Sequence, residues 1–238
     1  MKDYIIDMHK GRCLGLVGGL GVGATVHYYQ QLAKAHEQRG RTLDIVITHA
    51  DIARVRQYVE ANDRNGLADY LLGFISRMQE AGADIAAVPA VTPHLCVREL
   101  VAASPVPVFN IFDPLVKELK ARGARRVAVF GTRFVIESRL YGFAGDVEVV
   151  QPKPDQVDYI HRTYMQLAQE AKGTAEQHRN LTALAHALLA REAVDLIILA
   201  GTDLTLLFDD TNTEFPFIDC AALHIAAIVE ALLGEPIA

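Results

Sequence analysis

The chain has 238 residues, of which 51% are hydrophobic and 22% charged, and its formal net charge is −6. This composition is typical of a folded globular domain and, without a basic block, argues against a nucleic-acid partner. The apolar runs are far shorter than the roughly 20 residues of a membrane helix, which argues against a membrane partner. Charges throughout residues 1–10 argue against a signal peptide. The three cysteines indicate free thiols in a reducing cytoplasm.

Short apolar runs alternate along the chain with amphipathic stretches, a pattern typical of α/β proteins. The predicted strands are residues 13–18, 44–49, 84–89, 106–111, 126–131, 147–150, 196–200 and 215–218. The predicted helices are residues 24–38, 65–81, 114–122, 134–141, 157–171, 175–191 and 221–233. Gly40, Gly82, Gly123 and Gly234 follow four of these helices, as expected for helix C-termini. Strands that are apolar almost without interruption predict parallel sheets covered on both faces.

The chain also contains an internal repeat. Residues 82–92 (GADIAAVPAVT) are echoed by residues 193–203 (AVDLIILAGTD), and each copy reads as an acidic residue, a buried strand and a turn of small residues. The repeat predicts an α/β fold of two pseudo-symmetric, doubly wound parallel-sheet domains with the site in the cleft between them. Residues 1–112 together with 220–238 are expected to form the first domain, and residues 113–219 the second.

Ligands of doubly wound folds bind beyond the carboxyl ends of the strands. The turns expected to surround the ligand are therefore residues 18–25, 49–51, 90–94, 131–133, 201–205 and 219–220. In the two repeated turns, the residues directly after the strands are Ala90 and Gly201, which are neither acids nor nucleophiles.

The first of these turns admits two interpretations. Residues 19–24 (GLGVGA) follow a strand and open a helix, which satisfies the GxGxxG/A fingerprint of dinucleotide sites. The acidic residue that should bind the ribose is out of place, because Asp51 lies two residues past His49 rather than at the strand end. The alternative is a tight glycine turn that makes room for a small anion.

Five motifs, in order over nearly the whole chain, resemble those of the aspartate/glutamate racemase family. They are Gly18-Gly19-Leu20-Gly21 with Ala24-Thr25 and Tyr28-Tyr29, then Thr92-Pro93-His94, Gly131-Thr132-Arg133 with Tyr141, Gly201-Thr202-Asp203, and Asp219-Cys220-Ala221-Ala222-Leu223-His224. The resemblance implies a site for a small amino acid or dicarboxylate, racemisation without a cofactor or metal, and a possible homodimer. It also implies two catalytic cysteines on opposite faces of the substrate α-carbon.

The chain departs from the family at these two cysteines. Ala90 stands at the first position, with Val91 in place of the adjacent Asn, and Gly201 stands at the second. A methyl group and a hydrogen atom neither accept nor donate protons, so the two-thiol mechanism is not available. The favoured expectation is non-thiol acid/base chemistry of isomerase, lyase or hydrolase type. The alternatives are an inactive small-carboxylate-binding relative, a conventional amino-acid racemase and a dinucleotide-binding protein.

Three residues are candidates for the altered chemistry. His94 could be a general acid/base poised near neutral pH or a supporting hydrogen-bond partner. Asp203 could be a base or a charge favoured by a helix dipole. Cys220 begins the last helix, a location that lowers the pKa of a thiol, but small buried core thiols are common.

Seven residues are candidates for binding the ligand. They are Gly19, Thr25, Asp51, Thr92, Thr132, Arg133 and Thr202. Threonine hydroxyls at strand ends are suited to carboxylate oxygens, although the same hydroxyls could simply cap helices. Arg133 could clamp a distal carboxylate or be solvated, and Asp51 with His49 could be an exposed loop pair.

Overall fold

The structure is a computed structural model that describes residues 12–234. The strands of the first sheet are β1 (Leu14–Gly18), β2 (Ile45–His49), β3 (Ile85–Ala87) and β4 (Val108–Phe109), and those of the second are β5 (Arg126–Phe130), β6 (Glu148–Val150), β7 (Leu196–Leu199) and β8 (Phe217–Asp219). All eight predicted strands are confirmed, although most begin or end earlier or later than the apolar pattern predicts.

The two sheets have the same architecture. Their strand orders are β2-β1-β3-β4 and β6-β5-β7-β8, and every neighbouring pair is parallel. In each sheet the third strand in chain order pairs with the first, as Ala87 with Leu16 and Leu199 with Phe130. The turns that carry Ala90 and Gly201 therefore leave the two sheets at equivalent places. The predicted α/β fold with two pseudo-symmetric parallel sheets is confirmed.

Helices cover the sheets. They are α1 (Val22–Gln38), α2 (Ile52–Glu60), α3 (Arg64–Glu80), α4 (Val97–Ala103), α5 (Phe112–Ala121), α6 (Arg133–Glu137), α7 (Pro154–Glu170), α8 (Ala175–Glu192) and α9 (Cys220–Leu233). Single turns of 3₁₀ helix lie at Thr92–Cys96, Leu140–Gly142 and Thr202–Leu206. None of the helices in the described part of the chain is long and apolar enough to cross a bilayer.

Helix α2 was not expected from the sequence pattern. The α2 segment contains several β-branched residues, which have a low intrinsic helix propensity. Its helix is stabilised by the burial of Val55 and Val59 and by Asp51, whose side chain accepts a hydrogen bond from the Ala53 N–H.

The predicted helix over residues 134–141 is wrong in its second half. Helix α6 ends at Glu137, and Arg139, Leu140 and Tyr141 all have positive φ angles, between 53° and 56°. Tertiary contacts account for this break, because Leu140 is fully buried and the Tyr141 hydroxyl donates to the carbonyl of Thr92 at 3.1 Å. Continuation of the helix would forfeit these contacts.

Helix α9 follows the second sheet in the chain but packs on the first. Its buried residues Ile225 and Ile228 join Leu14, Leu16 and Ile85 of the first sheet in one apolar cluster, which also includes Tyr28 and Leu32 of α1. The second half has its own core around β5 and β7. The chain therefore returns to the first half after it has completed the second.

Candidate functional site

A cavity of about 420 Å³ lies between the two halves, at the carboxyl ends of the strands. Its walls include Ala90, Thr92 and Thr132 from the turns after β3 and β5. Helix α2 contributes Arg56 and Glu60, and helix α7 contributes His161 and Tyr164. This volume is typical of a small-molecule site.

Thr92 and Thr132 bring one hydroxyl from each half to the same point of the cavity. Their Oγ1 atoms are 3.0 Å apart, and Thr132 Oγ1 also accepts from the Val135 N–H, which caps helix α6. Thr132 thus combines both roles considered for it, a helix cap and a cavity wall. The structure brings these two predicted ligand-binding residues together.

The turn that carries Ala90 is held from both sides. Thr202 donates its hydroxyl proton to the carbonyl of Pro89 at 3.1 Å, and the Nδ1 of His94 is 2.7 Å from the carbonyl oxygen of Ala90. Thr202 is fully buried and does not line the cavity. Its hydroxyl is therefore engaged with the neighbouring turn rather than directed to a ligand.

The geometry of His94 favours the structural alternative over acid/base chemistry. Its Nε2 accepts from the Ile111 N–H at 3.3 Å, so the proton of the neutral ring is on Nδ1 and is donated to Ala90. Burial lowers the pKa of His94 to about 4, and the ring does not line the cavity. His94 therefore positions the Ala90 turn as a neutral side chain.

The space beside Gly201 is filled rather than vacant. A Cβ at residue 201 would lie 2.6 Å from Cδ2 of Tyr164 and even closer to Cε2. Tyr164 is buried, and its hydroxyl donates to Oδ2 of Asp203 at 3.3 Å. The aromatic ring of α7 therefore occupies the volume in which any side chain at residue 201 would begin.

Asp203 is the anion that the glycine turn accommodates. Its Oδ1 accepts from the Ala24 N–H at 3.0 Å, so a carboxylate of the second half caps helix α1 of the first. A Cβ at Gly21, whose φ is 144°, would overlap this carboxylate. Asp203 has no exposed surface, and burial raises its pKa. The α1 N-terminus is thus occupied where a dinucleotide pyrophosphate would bind, which contradicts the dinucleotide interpretation.

Three further candidates from the first half stabilise turns and do not line the cavity. The Thr25 hydroxyl donates to the carbonyl of Gly21 at 2.8 Å and accepts from the N–H of Gly19 at 3.2 Å. Asp51 is an exposed cap of α2. The structure therefore does not bring Gly19, Thr25 or Asp51 to the candidate ligand.

Arg133 and Cys220 are also absent from the cavity walls. The Arg133 guanidinium forms ion pairs with Glu137 and Asp158. Cys220 is fully buried at the start of α9, where burial raises the pKa of its thiol instead of lowering it. An inert core thiol is the interpretation that this environment favours.

Sequence reasoning did not find the polar residues contributed by α2 and α7. Arg56 and Glu60 belong to a helix that was not predicted, and Arg56 forms no ion pair with any residue between 12 and 234. His161 and Tyr164 lie three residues apart on the predicted α7, so their shared helix face was a signal that could have been used.

Among the described residues no cluster of three His, Cys, Asp or Glu side chains is arranged to hold a metal ion.

Comparison with known proteins decides the family. The model of the family described as Asp/Glu/hydantoin racemase matches residues 17–228. The chain belongs to this family. A curated relative, the broad specificity amino-acid racemase RacX of Bacillus subtilis, is 24% identical over 231 residues, which cover 93% of this chain and 98% of that protein.

Solved structures of the Asp/Glu racemase family share the fold. An aspartate racemase homologue from Pyrococcus horikoshii superposes with a TM-score of 0.75 at 22% identity, covering 94% of this chain and 100% of the other. An aspartate racemase from Picrophilus torridus gives a TM-score of 0.72 at 18% identity, covering 93% and 94%. At these identities the superpositions establish the architecture alone.

Proposed function

We propose that the cavity binds a small amino acid or dicarboxylate and that any reaction there uses non-thiol acid/base chemistry of isomerase, lyase or hydrolase type. The observation that supports non-thiol chemistry is the position of the Tyr164 ring, which fills the space beside Gly201. Together with the methyl group of Ala90 on the cavity wall, it leaves no pair of thiols to act on the two faces of an α-carbon.

Two features support a small carboxylate as ligand. The paired hydroxyls of Thr92 and Thr132 line the cavity beyond the carboxyl ends of β3 and β5, and one of their two protons is free for a ligand because the other joins the two oxygens. Arg56 adds a positive charge without an ion-pair partner in the described part of the chain. RacX, by its name, acts on amino acids, and family membership supports the same ligand class here.

A second candidate function is a binding protein without chemistry. It is favoured by the surroundings of the three residues first considered catalytic. All three residues, His94, Asp203 and Cys220, are buried, and none of them lines the cavity. His94 forms a hydrogen bond that holds the Ala90 turn, and Asp203 forms one that caps helix α1. The titratable groups that do line the cavity are Glu60, His161 and Tyr164, whose hydroxyl is engaged with Asp203, and Arg56 is a fixed charge. A homodimer remains a prediction from the resemblance, and a cytoplasmic location remains a prediction from the cysteine content.

The test combines ligand binding with proton exchange. We expect aspartate or succinate to raise the melting temperature of the protein and the double variant T92V/T132V to weaken binding by about tenfold or more, since two hydroxyl contacts are lost. Thr182→Val is the matched control, because Thr182 is a buried threonine of α8 whose hydroxyl has no hydrogen-bond partner in residues 12–234. Failure of every small carboxylate to bind would contradict the proposal.

The same samples separate the two functions. Incubation with aspartate and related amino acids in D₂O, followed by NMR, measures exchange of the α-proton, and product analysis measures other reactions. Turnover that is lost in Glu60→Gln or His161→Gln favours non-thiol chemistry. Binding without exchange or product favours the inactive carboxylate-binding relative.

A further inference from the structure

The imidazole of His161 is oriented by the backbone of the neighbouring helix. Its Nδ1 accepts from the Arg133 N–H, at the first position of α6, at 3.3 Å. An atom that accepts a backbone N–H hydrogen bond carries a lone pair, so the single proton of the neutral ring is on Nε2. The hydrogen bond therefore selects one tautomer.

The other ring nitrogen has no partner in the protein. His161 is one of the residues that line the cavity. Among residues 12–234 no backbone or side-chain group forms a hydrogen bond to its Nε2 atom. Since Nδ1 is engaged with α6, Nε2 is the polar atom that this side chain can offer to a bound molecule. A donor N–H at a cavity wall is matched by an oxygen acceptor.

The charges around His161 favour the neutral ring. Burial lowers its pKa, as do the guanidinium groups of Arg133 and Arg56, whereas the carboxylates of Asp158 and Glu137 act in the opposite direction. Arg133 is paired with both of these carboxylates, while Arg56 is an unpaired cavity residue in the described part of the chain. The neutral donor therefore lies near the unpaired guanidinium of Arg56, which favours an anionic acceptor, while Glu60 of the same helix adds one carboxylate to the cavity lining.

We propose that His161 is a ligand-binding residue that donates its Nε2 proton to a carboxylate oxygen of the bound molecule. The inference rests on the proposed function, because it assigns a partner to the carboxylate ligand of that site. It excludes His161 as a resting general base, since Nε2, the ring nitrogen that is not engaged with α6, already carries a proton. It adds a hydrogen-bond donor on helix α7 to the hydroxyl groups of Thr92 and Thr132.

The first test reads the tautomer in the full-length protein without a ligand. Long-range ¹H–¹⁵N NMR of ¹⁵N-histidine-labelled protein should show an unprotonated Nδ1 and a protonated Nε2 for His161 at neutral pH. Addition of succinate should raise the pKa of His161, because a carboxylate acceptor stabilises the imidazolium form. A proton on Nδ1 in the ligand-free protein would overturn the inference whether or not a ligand binds.

The second test measures affinity for succinate by calorimetry. His161→Phe, which keeps the ring size without a donor, should weaken binding about tenfold, since a hydrogen bond to a charged group is lost. His161→Gln, which places an amide N–H near the position of Nε2, should retain most of the affinity, and His186→Phe on the exposed side of α8 should change nothing. Succinate binding unaffected by His161→Phe overturns the role of His161 alone, whereas no binding by the unaltered protein overturns the proposed function as well.

Discussion

Gly201 and Tyr164 pack against each other beside the cavity, and Tyr164 forms part of its wall. The glycine leaves a space that the tyrosine ring fills, and the tyrosine hydroxyl is held by Asp203. A side chain at residue 201 and an aromatic ring at residue 164 therefore exclude each other in the present arrangement. The packing around residue 201 is therefore suited to a glycine at that position.

This pair predicts a specific pattern in a double-mutant cycle. Gly201→Ala should lower the free energy of unfolding by about 1–3 kcal/mol, because the added methyl group overpacks a buried contact. The same change should cost much less when Tyr164 is already replaced by alanine, since the obstructing ring is gone. Urea denaturation of the four proteins measures the coupling.

Gly73 supplies the control for this cycle. It lies within α3, and a Cβ there would meet no atom within 4 Å. Gly73→Ala should leave stability unchanged or increase it by about 0.5–1 kcal/mol, as expected for alanine in a helix interior. Equal effects of Gly201→Ala in the presence and absence of the Tyr164 ring would show that the two residues do not compete for space.

At the scale of elements, Asp203 joins helices from both halves. It accepts from the Ala24 N–H of α1 and from the Tyr164 hydroxyl of α7, and both donors are buried with it. Gly21 and Gly23 allow the carboxylate to approach the start of α1, since a Cβ on Gly23 would lie 3.0 Å from its Oδ1. The glycine-rich turn is thus explained by an interaction within the chain.

Removal of this carboxylate should destabilise the protein. Asp203→Ala leaves two buried donors without an acceptor, so we expect the free energy of unfolding to fall by about 2 kcal/mol. Asp69→Ala, at an exposed position of α3, should change it by less than about 0.5 kcal/mol. Chemical denaturation of both variants at pH 7.5 makes the comparison, and an effect of Asp203→Ala as small as that of Asp69→Ala would argue against the capping role.

The elements also show what the sequence was able to predict. Apolar strands are recognisable from local sequence, and the repeat predicted two pseudo-symmetric sheets, which the structure shows with the same strand order. Thr92 and Thr132 were predicted as site residues because both follow strands, and the structure joins their hydroxyls. The partners of Asp203 and Gly201 depend on α1 and α7, which are distant in sequence, so no local pattern could have revealed them.

At the scale of the whole molecule, two buried histidines link stability to pH. Burial lowers the pKa of His94 to about 4 and that of His224 to about 3, against an ordinary value of 6.5. Below pH 6.5 the unfolded chain binds protons that these native side chains do not, so stability decreases as the pH falls. Asp219 acts in the opposite direction, because burial raises its pKa from 3.8 to about 6 and the native state then binds a proton first.

His94 and His224, joined by His161, whose pKa is also lowered, should outweigh the raised carboxyl groups of Asp219 and Asp203. We expect the free energy of unfolding to fall by about 2 kcal/mol between pH 7.5 and pH 5, measured by urea denaturation in buffers of equal ionic strength. His186→Gln, a change at an exposed histidine, should leave the slope unaltered. A stability that is flat or that rises towards pH 5 would contradict the prediction.

The return of α9 to the first sheet governs the order in which the molecule can be assembled. During synthesis the second sheet is complete once β8 has emerged, because all four of its strands precede α9. The face of the first sheet formed by Leu14, Leu16 and Ile85 is covered only in part, by helix α1, until Ile225 and Ile228 arrive. The half that leaves the ribosome first is therefore the half that finishes folding last, and it must be kept from aggregating while the second half is made.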